Sequence, residues 1–196
     1  YDGTADSLMV DSLPPVAEAP KVIMDPIDTA LDNAARYLAG LPQLNPNQYT
    51  LLEKEPSWQA YKGLLDSNWE RMDSMRLQPM SAWREREFSP RVADSLWLFY
   101  PFSGPDFLHA QTFYPHASGI IMVALEPVVQ LPEVQQLGPV GRQMVLDTLG
   151  RSLRDIFMRS YFITRNMMSD LNYSRGVLPV FCIFLKRSNQ ELLNLQ

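Results

Sequence analysis

The sequence predicts an α/β domain: a three-layer, Rossmann-like arrangement with a short, mostly parallel sheet, preceded by two helices and an acidic extended leader. Three observations carry this. Two runs of consecutive apolar strand formers, Leu96–Tyr100 and Ile120–Leu125, are separated by a turn and a short helical segment. Helical periodicity marks two stretches before them, around 31–38 and 58–75. Residues 1–27 keep neither a helical nor a two-residue period. The 196 residues suffice for one domain with an extension, and 28–196 is read as that domain.

Residues 1–27 read as a flexible leader, because Pro14, Pro15, Pro20 and Pro26 punctuate small and acidic residues. Residues 1–33 hold seven carboxylates and one base, Lys21, a local charge of −6 that leaves +1 for the rest of the chain. A body so near neutrality has no basic surface for phosphate contacts, so nucleic acid is not an expected partner. No apolar run reaches the roughly 18–20 residues of a membrane span. The chain opens at Tyr1 rather than Met, which fits either a removed signal segment or a trimmed sequence.

The first helix is expected from Asp28, with Leu31, Ala34, Ala35 and Leu38 on one face and Gly40 and Pro42 as its stop. A turn at Asn45-Pro46-Asn47 leads to Pro56-Ser57, which opens a second helix of about five turns. Trp58, Tyr61, Leu65, Trp69, Met72 and Met75 share one face of it, a stripe that packs on a sheet more often than it lines a cofactor. Pro79 should end or kink this helix, and Trp83 and Phe88 continue its apolar edge.

At the centre, the two apolar runs read as strands covered on both faces, as in parallel sheets, joined through a short helix at Phe107–Phe113. One or two long helices follow within 140–171, carrying Met144, Val145, Leu149, Leu153, Ile156 and Phe157 at the helical period. Val177–Leu185 is the longest apolar run and reads as a third strand, with Pro179 placing it at an edge. Cys182, the only cysteine, sits in that run and reads as a small core residue.

The candidate chemistry lies in the loop after the first strand. Ser103, Gly104 and Asp106 would face Glu126, at the end of the second strand, across a crevice at the carboxyl ends of the strands. A helix N-terminus there could take an anion, and Glu126 a ribose-like hydroxyl. The same residues also form a capping box, Ser103-Gly104-Pro105-Asp106, which needs no ligand. A single glycine falls short of a phosphate cradle. His109 and His116 have no zinc spacing, and Ser103, His109 and Asp106 lack the elbow of a catalytic triad. No catalytic residue, cofactor or metal is therefore assigned.

Several blocks carry a resemblance. Tyr100-Pro101-Phe102-Ser103-Gly104-Pro105-Asp106-Phe107, followed by Leu125-Glu126-Pro127-Val128, resembles the signature of an uncharacterised group of bacterial exported proteins and lipoproteins. Leu38–Pro42, Ser160–Thr164 and Gly176–Val180 resemble other blocks of that group. The resemblance covers about residues 30–188 and brings no catalytic residues with it. It implies a periplasmic or outer-membrane location, with a lipid anchor upstream, and a longer parent chain. Two functions follow from different classes. One is a non-catalytic envelope subunit or accessory factor binding a protein partner in a larger assembly. The alternative is a small-molecule-binding or enzymatic domain using the crevice at Ser103, Gly104, Asp106 and Glu126.

Overall fold

The computed structural model describes residues 26–88, 97–102, 106–124, 130–159 and 178–193. Over these it is a mixed α/β structure, mostly helical, around a two-stranded parallel sheet.

Helix α1 (Thr29–Leu38) starts where expected: the Asp28 carboxylate accepts the Leu31 N–H at 3.0 Å and so caps it. Its end is a Schellman turn, with Gly40 N–H donated to Tyr37 O and Leu41 N–H to Arg36 O. Gly40 has φ +65°, and a Cβ on it would lie 3.3 Å from the Lys62 Cα. Both the backbone conformation and the close approach of the next helix therefore demand glycine.

Helix α2 (Pro56–Met72) begins on its proline, which suits a first turn that has no use for the missing N–H. Trp58, Tyr61, Leu65 and Met72 are buried along one face. Two of them also satisfy the end of α1: Trp58 Nε1–H donates to Tyr37 O at 3.0 Å, and the Tyr61 hydroxyl to Leu38 O at 2.6 Å. The stripe stops before Met75, which is exposed, because Asp73–Leu77 forms a π turn and shifts the helical phase. Gln78 N–H there reaches five residues back, to Asp73 O. Pro79 explains the wide turn: it has no N–H, and its ring would strike the carbonyl four residues back. The helix is thus neither ended nor broken but continues as α3 (Gln78–Glu87).

Strands β1 (Trp97–Phe102) and β2 (Gly119–Ala124) pair in parallel, Trp97 opposite Gly119 and Phe102 opposite Ala124, with α4 (Asp106–Phe113) as the connection. Helix α5 (Pro139–Arg159) lies along α2 and buries Val145, Leu149, Leu153, Ile156 and Phe157, as its period predicts, while Met144, expected with them, is exposed. Residues 160–171 of the expected helical region, and the leader through residue 25, lie outside the described residues.

Two expectations are corrected. The predicted third strand is a helix, α6 (Leu178–Arg187), so the described sheet has two strands. Pro179 is its second residue, where a helix tolerates proline, and Lys186 and Arg187 fill the last turn. A second Schellman turn ends it, with Asn189 at φ 58° and Gln190 N–H donated to Leu185 O. Leu178, Val180, Cys182, Ile183 and Phe184 are all buried, and a helix apolar nearly all round shows no period to separate it from a buried strand. Burial also pushes the Cys182 thiol up to about 12, as befits a core residue.

The second correction concerns the sheet, whose strands are not covered on both faces. Leu98, Tyr100, Phe102, Ile120 and Met122 turn toward the helices, where Phe102 stacks on Phe181 at 5.3 Å. The alternate residues face outward.

Two stability outcomes follow. Gly40→Ala should cost about 1–2 kcal/mol in chemical denaturation through its left-handed backbone alone, and an unchanged midpoint would show that the turn does not hold this geometry. Trp69 is half-buried and edge-on to Phe157 at 6.0 Å. Trp69→Ala should therefore cost about 3 kcal/mol, and a loss below about 1 kcal/mol would mark this face as exposed instead.

Candidate functional site

Of the four residues expected to form a crevice, Ser103, Gly104 and Glu126 lie outside the described residues. Asp106 is the first residue of α4, with its carboxylate partly exposed. Its Oδ1 stands 3.6 Å from His109 Nδ1, one helical turn on, so the pair is local to α4. Burial lowers the His109 pKa below the ordinary imidazole value. Asp106 opposes that shift and Arg76, in the π turn, adds to it. His116 is exposed in the turn after α4 and does not join them. Among the described residues, no three His, Cys, Asp or Glu side chains are grouped to hold a metal.

Two other surfaces stand out. The first is the outer face of the sheet. Phe99 is 65% exposed, Ile121 51%, Val123 43% and Trp97 37%. The register sets Phe99 beside Ile121 and Pro101 beside Val123, so these strand residues form one contiguous apolar patch. The Trp97 ring lies over Gly119, where a Cβ would come within 2.5 Å of it.

The second is a cleft of about 430 Å³ on the inner side of β2, between α4 and α6. Phe107, Met122, Phe181 and Leu185 supply its apolar walls, and Gln111, Tyr114 and Ser118 reach it from the end of α4 and the following turn. A smaller cleft of about 210 Å³ between α2 and α5 carries Asp147, Arg151 and Arg154 at its edge.

One ion pair serves packing between two helices. Arg142, in the first turn of α5, clasps the Glu55 carboxylate at the start of α2 through Nε at 2.9 Å and through Nη2. The neighbouring Tyr37 phenol is fully buried, and burial, with Glu55 adding to it, raises its pKa well above the usual value.

Neither surface is legible in the sequence. The strand residues were recognised as apolar, but consecutive apolar residues do not reveal which face stays open. The cleft is walled by residues from three separate elements, all of ordinary core or turn type, and has no motif.

The Asp106–His109 pair makes a pH statement. A depressed folded value means that protonating His109 opposes folding. Its contribution is present above the ordinary imidazole pKa and is lost as pH falls through the lower folded value. Asp106→Asn removes the opposing carboxylate and should lower the NMR midpoint of His109 further, with exposed His116 as the internal reference; a rise would overturn the assignment. No family model, no curated protein and no solved structure matches this chain.

Proposed function

We propose that this protein is a non-catalytic accessory or structural subunit of the bacterial cell envelope, periplasmic or lipoprotein-type, that binds a protein partner through the outer face of its sheet. The observation that carries this reading is the open patch of Trp97, Phe99, Ile121 and Val123. Parallel strands are ordinarily buried on both faces, because the helices that connect them cover the sheet. Two described strands with one exposed face are also marginal by themselves. Contiguous exposed apolar surface of this kind marks interaction sites in soluble proteins. The three-layer, Rossmann-like architecture predicted from sequence is then completed in the assembly, with the partner supplying the layer over β1 and β2.

The envelope location rests on the resemblance of the Tyr100–Phe107 and Leu125–Val128 blocks to exported proteins and lipoproteins, and an upstream lipid anchor belongs to the same proposal. No described helix is long and apolar enough to cross a membrane.

A photo-crosslinking amino acid at position 99 or 121 tests this reading in cells. Both positions should yield the same discrete adduct with one other protein, while position 44, where Leu44 is equally solvent-facing but remote in sequence, should not. Val123→Asp should weaken that complex by roughly thirtyfold, the effect of about 2 kcal/mol at an interface hot spot. Adducts that arise equally from position 44, or that have the mass of two copies of this chain, would sink the proposal.

A further inference from the structure

We propose that the cleft between α4, β2 and α6 binds an uncharged, amphipathic small molecule, its apolar body against Met122 and Phe181 and its hydroxyl or amide groups against Gln111, Tyr114 and Ser118. The cleft is on the helix-facing side of β2, opposite the surface assigned to the protein partner, and the inference does not depend on that assignment.

Size comes first. About 430 Å³ lies within the range of roughly 300–1,000 Å³ typical of small-molecule sites. The walls come next. Phe107 and Phe181 meet edge to face at 5.3 Å, which fixes two aromatic surfaces at an angle before anything binds. Ile120 and Met122 remain only partly covered from the inner side of the sheet. Filling this space would remove from water apolar surface that the protein's own helices leave open, worth roughly 25 cal/mol for each Å².

The polar groups decide the class of ligand. No described lining residue is charged, and the side chains of Gln111, Tyr114 and Ser118 make no hydrogen bond to any described residue. They offer an amide and two hydroxyls, groups that both donate and accept. A neutral ligand can match them one for one, whereas an ion would shed its hydration without a counter-charge in return. The cleft also adjoins the carboxyl end of α4, which contributes Gln111 and precedes Tyr114. The negative end of the helix dipole there disfavours anions further. These features together specify a neutral molecule with an aromatic or aliphatic body and one or two donor groups at one end.

The experiment uses the full chain and two fluorescent probes of nearly the same shape: N-phenylnaphthylamine, which is neutral, and anilinonaphthalene sulfonate, which is an anion. The neutral probe should bind saturably with one site per chain, and at least tenfold tighter than the sulfonate. Ser118→Trp, a change at the exposed rim, should reduce the neutral probe's affinity at least tenfold, and Gln111→Trp provides a second obstruction from α4 should the first variant misfold. Phe99→Asp, on the opposite face of the sheet, should leave the affinity unchanged. The proposal is overturned by any of three results: no saturable binding, equal affinity for the sulfonate, or binding lost with Phe99→Asp while both obstructed variants keep it. The last result would place the probe on the outer face of the sheet and leave the cleft without a ligand.

Discussion

The helical part of the structure converges on the guanidinium of Arg187. Its Nε donates to Ala39 O at 2.8 Å, satisfying a carbonyl at the end of α1. Its Nη2 stands 2.8 Å from Asp66 Oδ1 on α2, an ion pair without hydrogen-bond alignment. The same group lies 6.0 Å above the Trp69 ring. One buried cation on α6 therefore touches α1 and α2 together. Lys186, beside it, pairs with Asp32 on α1, and Asp32 also accepts the Leu192 N–H at 3.3 Å. Asp66 is 43% exposed, so solvent screens its charge and the Coulombic part of the Arg187 pair is small. Burial would raise the Asp66 pKa, but the hydrogen bond from Lys62 and the neighbouring charge of Arg187 outweigh it and hold the carboxyl below its usual range. What Arg187 chiefly supplies is position, since only one placement of α6 lets it reach all three groups.

That placement explains why α6 governs the sheet as well. Phe181 leaves α6 on the side toward β1, where it stacks on Phe102 and meets Phe107 of α4. Phe184 turns toward Trp69 and Phe157, joining α2 and α5. A strand would send residues three apart to opposite faces of one sheet, whereas a helix keeps them on one side a turn apart, so that Phe181 and Phe184 reach adjoining parts of the same core. The run Leu178–Leu185 is apolar on nearly all sides because only Phe181 and Leu185, at the cleft, stay partly uncovered. Its ends, Pro179 and the Lys186-Arg187-Ser188-Asn189 stretch, are what mark it as a helix.

Those end signals were present in the sequence and were outweighed by the density of Val, Phe and Ile between them. Elements with a polar side are more legible. Asp28, Gly40 and Pro56 mark caps and starts through backbone chemistry that does not depend on the rest of the fold, and each takes its expected role. Pro79 marks a disturbance in any helix, but its resolution by a π turn depends on the packing beyond it. The parallel pairing of β1 and β2 through α4 was legible from the order of apolar runs and turns. Which strand face stays open was not, since that depends on how many layers the rest of the chain supplies. Of the candidate crevice only Asp106 falls among the described residues, and its nearest titratable partner is His109 on its own helix.

The βαβ unit places two unlike surfaces on either side of one strand. Because successive strand residues alternate, Ile120 and Met122 serve the inner cleft while Ile121 and Val123 form the outer patch. The two surfaces are thus interleaved in sequence yet separated by the thickness of the sheet. A change of side chain at one position alters one surface and leaves the other's contacts in place. A shift of register by one residue would exchange the two sets, turning the partly covered residues to solvent and the open ones against α6. The stack of Phe102 on Phe181 opposes such a shift, because it pins the end of β1 to the helix that Arg187 positions. The separation of cleft from patch therefore rests on the same helix that holds α1 and α2 together.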